Sequence, residues 1–179
     1  MTNSIESLLG NDHESLAELL TELDSAFGKA DAVSAFELLD LFWARLAVHI
    51  RAENLHLFPA IATAATSLFT GKGSLPTSEE AHNILLQLRS DHDFFMKELA
   101  QMIKVARELT GREEVPPREI KELRRRMTDI RKRLETHNLL EERLVYTWPS
   151  LLFDEKSVAA LGDGLRAELE NLPPRFVSR

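Results

Sequence analysis

Apolar residues recur at helical spacing through most of the chain, and glycines, prolines and capping residues divide the pattern into segments. Apolar positions three and four apart are typical of amphipathic helices. A first helix is predicted to begin after an N-cap at Asn11-Asp12 and to end near Gly28. Four further helices are predicted: Asp31 to about Phe69, Pro76 to about Thr110, Pro116-Pro117 to about Trp148, and Asp154 to about Asn171.

The long helices are joined by short connections, such as the loop Thr70-Gly71-Lys72-Gly73-Ser74. This organisation favours an all-α fold, an antiparallel up-down-up-down four-helix bundle with an additional C-terminal helix. Pro59 lies inside the second helix and is expected to kink it. We assign residues 1–150 to the bundle and 151–179 to a C-terminal extension. The single apolar stripe of the extension needs one partner surface, either the bundle or a second copy in a homodimer.

Composition narrows the class of protein. A chain of 179 residues fits one domain, and its net charge of −7 argues against a nucleic-acid partner. The basic segment 112–133 is interleaved with acidic residues and is interpreted as a solvated helix face. The absence of cysteine excludes disulfides and thiolate metal sites. With no signal-peptide pattern and no apolar run of ~20 residues, a cytoplasmic protein with no membrane partner is expected.

A repeated pair, His49-x-x-x-Glu53 and His137-x-x-x-Glu141, carries the chemical information. A spacing of four places imidazole and carboxylate one turn apart on one helix face. Such donors suit iron, manganese or zinc. Either pair taken alone is more often an ordinary surface pair, so the metal interpretation depends on what else lies at the same depth.

His13 and His92 lie at that depth. In an antiparallel bundle, His13 and His49 are nearly equidistant from the connection near Lys29, and His92 matches Glu53 and His137 within a few ångström at about 1.5 Å per residue. A lone buried histidine is more often a hydrogen-bonded core residue than a ligand, but burying six ionisable groups in one layer is costly without a partner. Two divalent ions would compensate that cost. The predicted metal ligands are His13, His49, Glu53, His92, His137 and Glu141.

Other candidate ligands are weaker. His56 lies about 10 Å further along its helix than His49 and is interpreted as an extra ligand or, more often, a hydrogen-bond donor to a ligand. His82 is predicted to lie on the surface, and Glu142 is turned away from the face of His137. A ferritin-like site built on Glu53-x-x-His56 and Glu79-x-x-His82 is rejected, because the two motifs differ in depth by about 12 Å.

With these motifs the chain resembles the hemerythrin-like, or HHE cation-binding, family over roughly residues 8–150. The resemblance rests on four segments: Asp12-His13-Glu14-Ser15-Leu16, His49-Ile50-Arg51-Ala52-Glu53 leading into Leu57-Phe58-Pro59, Leu88-Arg89-Ser90-Asp91-His92-Asp93, and His137-Asn138-Leu139-Leu140-Glu141-Glu142. It implies a non-haem di-iron centre bridged by Glu53 and Glu141. His13 and His49 would serve one iron and His92 and His137 the other, with manganese or zinc as alternatives.

The chain departs from the pattern of oxygen-carrying hemerythrins. Those proteins add a histidine four residues from the third-helix ligand, where this chain has Leu88 and Met96. Their fourth-helix carboxylate is an aspartate at i+5, whereas here it is Glu141 at i+4. Fewer protein ligands disfavour reversible oxygen carriage. We therefore expect a di-iron protein that binds dioxygen or nitric oxide in sensing, storage or protection against oxidative and nitrosative stress. The alternatives are an enzyme that removes peroxide or nitric oxide or repairs iron centres, and an iron-responsive structural or regulatory module.

Overall fold

The computed structural model describes residues 4–68 and 75–176, and it is all-helical. The predicted end of the second helix at Phe69 and the loop 70–74 lie outside these residues. The helices are α1 (Ile5–Gly28), α2 (Ala32–Ala52), α3 (Phe58–Leu68), α4 (Ser78–Thr110), α5 (Pro117–Arg143), α6 (Trp148–Leu152) and α7 (Glu155–Leu169). A π turn, Glu53–Leu57, joins α2 to α3, and 3-10 turns span Val145–Thr147 and Pro174–Phe176.

The start of α1 differs from the prediction. The helix begins at Ile5, where the Ser4 side chain accepts a hydrogen bond from the Ser7 backbone N–H. Asp12, predicted to be part of the N-cap, lies in the second turn of the helix and is nearly buried against α2. Its carboxylate accepts a hydrogen bond from an arginine of that helix, Arg45. The Asn-Asp cap signal was misleading because this aspartate has a tertiary partner.

The other predicted starts are confirmed. Asp31 caps α2 by accepting from the Ser34 backbone N–H at 3.0 Å. Thr77 caps α4 in a capping box with Glu80, in which each side chain accepts from the other residue's backbone N–H. Asp154 caps α7.

The irregularity expected at Pro59 takes the form of the π turn directly before it. Proline has no N–H, and its ring collides with the carbonyl four residues earlier. The helix widens by one residue before Pro59. The Phe58 backbone N–H therefore donates to the carbonyl of Glu53, five residues back, instead of the usual four. Glu53 opens the turn and is completely buried.

The four long helices pack side by side around a common interior. Helix α1 contacts α2 and α5, and α4 also contacts α2 and α5. Two hydrophobic clusters fill this interior, one including Leu20, Phe42 and Leu99 and the other including Leu9, Phe58 and Leu85. Along each long helix, buried polar residues separate the positions that belong to one cluster from those that belong to the other. These residues form a polar layer. The polar layer contains all the buried histidine and charged residues among those whose burial is described: His13, His49, Glu53, Asp91, His92, His137 and Glu141.

Helix α5 ends before the predicted Trp148. It stops at Arg143, and Leu144 leaves helical geometry with φ of −125°. The 3-10 turn and α6 then continue the chain, with Pro149 inside α6 rather than after the helix. This break turns Tyr146 into the interior, where 1% of its surface is exposed.

Helix α7 contacts α2 and the π turn of the same chain. Leu165 is fully buried in the second cluster, and Arg51 of α2 pairs with Glu168. Gly164 lies so close to His56 that a Cβ there would be 2.9 Å from its Nδ1. The stripe of α7 thus has a surface within the chain, and a homodimer stays a prediction. Among the described helices, none is long and apolar enough to cross a membrane.

Candidate metal centre

All six predicted ligands meet in the polar layer. Each lies on the inward stripe of its helix, and none is more than 5% exposed. Helix α1 supplies His13, α4 supplies His92, and the chain of α2 with its π turn supplies His49 and Glu53. Helix α5 supplies His137 and Glu141.

The four imidazoles form two pairs that point the same ring nitrogen inward. His13 Nε2 lies 3.1 Å from His49 Nε2, and His92 Nε2 lies 3.1 Å from His137 Nε2. Each pair joins two neighbouring helices. We call them the His13/His49 half and the His92/His137 half of the centre.

The two glutamates span both halves. Glu53 directs Oε1 toward His49 Nε2 at 3.7 Å and Oε2 toward His92 Nε2 at 3.2 Å. Glu141 directs Oε2 toward His13 Nε2 at 3.5 Å and Oε1 toward His137 Nε2 at 3.1 Å. Each carboxylate therefore presents one oxygen to each half, the arrangement that a carboxylate bridging two cations requires.

The outer nitrogens of His49 and His137 face aspartates that were not predicted as part of the site. Asp12 Oδ2 lies 2.9 Å from His49 Nδ1, and Asp91 Oδ2 lies 3.3 Å from His137 Nδ1. A carboxylate on Nδ1 fixes the tautomer that carries a proton there, leaving the Nε2 lone pair free for a metal. Burial opposes ionisation of Asp12, but His49 and Arg45 outweigh it and lower its pKa.

Both aspartates are held by arginines, and this shell repeats in the sequence. Arg45 pairs with Asp12 at 2.9 Å, and Arg133 donates to Asp91 at 2.8 Å. Each half thus combines an Asp-His dipeptide on one helix with an Arg-x-x-x-His-x-x-x-Glu segment on the next. The repeat is a readable signal for the shell, although only its His and Glu positions entered the prediction of the ligands.

The other two histidines have different outer partners. Glu142 Oε1 lies 2.8 Å from His13 Nδ1, and the Asn54 side-chain amide lies 3.4 Å from His92 Nδ1. Each partner directly follows one of the two buried glutamates in sequence, Asn54 after Glu53 and Glu142 after Glu141. Glu142, which faces away from His137 as predicted, therefore orients a histidine of another helix from outside.

The histidines and glutamates of the polar layer shift one another's pKa values. Burial by itself lowers the pKa of His13, but hydrogen bonds and charge from Glu141, Glu142 and Glu53 raise it to about 9. His92 behaves in the same way, with Glu141 and Glu53 raising its pKa to about 9. Burial opposes ionisation of Glu141, yet the histidines hold its pKa well below the usual range. Without a metal, imidazolium protons thus supply positive charge between the carboxylates.

A phenol completes the layer and was not predicted. Tyr146 Oη donates to Glu53 Oε1 at 2.8 Å and lies 3.2 Å from Glu141 Oε2. Burial and the two carboxylate charges raise the pKa of Tyr146 well above its usual range. The sequence signal is its position five residues after Glu141, where the other half has Phe58 five residues after Glu53.

The donor set fits metal ions. Within the described chain, ligand atoms of His13, His49 and Glu141 lie within 4.8 Å of one another, as do those of His92, His137 and Glu141. Glu53 Oε2 and Glu141 Oε1 are buried and accept no well-formed hydrogen bond, and they face the ring nitrogens of His92 and His137. Such oxygens are costly to bury unless a cation compensates them. Imidazole and carboxylate donors suit iron, manganese and zinc.

Comparison with protein families agrees with this geometry. The family described as Hemerythrin HHE cation binding domain matches residues 4–149. The chain belongs to this hemerythrin HHE family. No curated protein and no solved structure matched the chain. The resemblance stated from the motifs is therefore confirmed, and the hemerythrin HHE match ends just before α7.

The remaining histidines of this hemerythrin HHE chain lie outside the two ligand groups. His56 is half-buried against Gly164 of α7, and His82 is exposed near the start of α4. Glu79, required by the rejected ferritin-like template, is exposed as well. These positions offer matched controls for the buried ligands.

Proposed function

We propose that this hemerythrin HHE chain holds two iron ions in the polar layer and binds dioxygen or nitric oxide there. The observation that carries the proposal is the pairing of four inward Nε2 atoms with two carboxylates that each face both halves. His13 and His49 would hold one ion and His92 and His137 the other, with Glu53 and Glu141 between them. Manganese and zinc accept the same donors.

The proposal includes the arrangement of the chain. Helices α1, α2, α4 and α5 would form an antiparallel four-helix bundle over residues 1–150, and residues 151–179 would form an extension on its side. Matching depth of all six ligands supports this arrangement. An up-down order brings residues equidistant from each connection to the same level.

Few protein donors per ion leave room for a small ligand. The flanks of His92 that would carry a further histidine in an oxygen carrier are apolar here, with Leu88 fully buried and Met96 partly buried. Iron with open positions supplies reversible or redox chemistry with diatomic gases when bound. The ligand set therefore supports sensing, storage or protection better than oxygen transport.

A cavity between α1 and α5 supports a small ligand. Its volume is about 200 Å³, and it reaches His13. Buried Leu16, Leu20 and Leu134 line its inner part, and Thr21 and Glu135 lie at its exposed side. One water occupies about 30 Å³ of liquid, so the cavity has room for a diatomic molecule.

Aromatic rings shield the other half. Phe58 stacks on His92 with ring centroids 5.6 Å apart and planes at 4°, and the edge of Phe95 packs on His137 at 5.4 Å. Both phenylalanines are fully buried. They hold the imidazole planes and exclude water, which would slow loss of reducing equivalents to solvent.

Metal analysis of purified protein, with visible spectra after reduction and after exposure to air, tests the proposal. We expect two irons per chain and oxo-bridge absorption in air. The double variant His49→Ala, His137→Ala should lose metal, and the control His56→Ala, His82→Ala should retain it. Fewer than one metal per chain, unchanged in the first double variant, would contradict the proposal.

An enzymatic role is the second candidate, and the Tyr146 hydroxyl favours it because it places a reactive phenol among the proposed ligands. Anaerobic titration with nitric oxide and product analysis distinguishes the two. Nitrous oxide production would indicate an enzyme, whereas a stable nitrosyl spectrum would indicate a binding protein. A large loss of helicity on chelation without gas reactivity would instead indicate a metal-stabilised regulatory module.

A further inference from the structure

The two halves of the centre are related by sequence but differ in one aromatic residue. Phe58 and Tyr146 each lie five residues after a bridging glutamate, and each ring packs on the histidine from the facing helix. The Phe58 ring is stacked on His92, and the Tyr146 ring lies 5.5 Å from His13 at 35°. Only the second position carries an oxygen.

That oxygen contacts all four ligand atoms of one half. Tyr146 Oη lies 3.1 Å from His13 Nε2 and 3.4 Å from His49 Nε2. The carboxylate oxygens facing the same half, Glu53 Oε1 and Glu141 Oε2, are 2.8 and 3.2 Å away. The phenol oxygen therefore lies among the donors proposed for one metal.

The opposite half has no such group among the described residues. On that side, Glu53 Oε2 and Glu141 Oε1 face the ring nitrogens of His92 and His137 at 3.2 and 3.1 Å, and no hydroxyl of the described residues donates to them. The hydroxyl thus satisfies the carboxylates on one side only. A metal entering the His13/His49 half must either displace the hydroxyl or bind it.

Displacement has little room. The Tyr146 side chain is fully enclosed in the second hydrophobic cluster, which includes its neighbours Val145 and Trp148. Moving the ring would disturb that packing, whereas shedding one proton turns the hydroxyl into a good anionic ligand for a ferric ion.

We propose that Tyr146 is a phenolate ligand of the metal in the His13/His49 half, which makes the two metal positions inequivalent. The inference rests on the proposed metal centre. On binding, the O–H bond breaks, an oxygen–metal bond forms, and the proton passes to solvent with no change in oxidation state. The metal in the His92/His137 half would then have one protein donor fewer than the metal in the His13/His49 half.

The chain contains a single tyrosine, which makes the test specific. Metal-free protein is loaded with ferrous iron and oxidised in air, iron is counted, and visible absorption and resonance Raman spectra are recorded. The wild type should show a phenolate-to-iron charge-transfer band with enhanced tyrosine ring vibrations. Tyr146→Phe should retain two irons and native helicity but lose both signals, and Phe42→Leu, a change at a buried aromatic residue seven positions before His49, should retain them.

Metal content separates failure of this inference from failure of the proposed function. Two irons in the wild type without tyrosinate vibrations would overturn the ligand role and leave the metal centre standing. Retention of the charge-transfer band in Tyr146→Phe would also overturn the ligand role. Loss of the band in both variants would overturn it as well, because the band would then depend on packing rather than on the phenol. A wild type that binds no iron would overturn both proposals.

Discussion

Raising the pH of the metal-free protein should destabilise it well before any lysine titrates. His13 and His92 have a pKa of 6.5 when unfolded and about 9 when folded, because buried glutamates face their rings. Between these values the folded state binds protons that the unfolded state has lost. The stability contributed by each histidine is therefore full below pH 6.5 and is lost as the pH rises to about 9.

The magnitude follows from the size of the shift. At about 1.4 kcal/mol per pH unit, each histidine contributes about 3 kcal/mol to the free energy of unfolding. Both histidines face Glu141, so the two contributions are not independent. We expect a total loss of about 3 to 6 kcal/mol, a large share of the ~5–15 kcal/mol of an ordinary domain.

Urea unfolding of chelator-treated protein at several pH values from 6 to 9.5 measures this loss. Iron-loaded or zinc-loaded protein is the control, because bound metal replaces the imidazolium protons and should flatten the profile in this range. His13→Gln should reduce the slope without a metal. A free energy of unfolding that is constant from pH 6.5 to 9 in metal-free protein would refute the assignment of protons to these two rings.

Further predictions concern single positions. Asp12→Asn removes the charge from the partner of His49 and should weaken metal binding by about 10- to 100-fold in competition with a chelator. The same change at half-exposed Asp24 of that helix, which pairs with Arg124 and not with a histidine, should leave the metal affinity unchanged. Phe58→Ala should lower the free energy of unfolding in urea by about 3–5 kcal/mol. Leu55→Ala, at a 58% exposed site, should change it by no more than about 0.5 kcal/mol. Equal losses in the two variants would contradict the packing described. Thr77→Ala should lower the melting temperature through loss of about 1 kcal/mol of capping, and an unchanged melting temperature would show that the capping box does not form.

The sequence was sufficient to find the ligands because their chemistry is local. A histidine and a glutamate four apart share a helix face whatever surrounds them, as in His49-x-x-x-Glu53. Apolar periodicity placed those faces inward, and the caps at Asp31 and Thr77 set the depth of the helices that follow. These signals depend on neighbours within one turn.

The surroundings of the ligands were harder to predict because they depend on contacts between helices. Asp12 has the sequence of a helix cap, but its hydrogen bonds go to Arg45 and His49 of the next helix. Glu142 was correctly predicted to face away from the ligands of its own helix, but its partner is His13, which lies 129 positions away in the chain. Spacing along one helix carries no information on such partners.

The sequence by itself was enough to predict an all-helical fold with two His/Glu segments on inward faces. Helical periodicity and the spacing of these donors depend only on residues within one or two turns of each other. The structure decided that α5 breaks at Leu144, five residues before Pro149, the proline that was predicted to follow the helix. The break places Tyr146 among two carboxylates and two imidazoles, and burial of its ring favours this over a longer helix. The difference between the two halves is present in the sequence as Tyr146 against Phe58, but only packing brings the phenol oxygen to the ligands of the His13/His49 half.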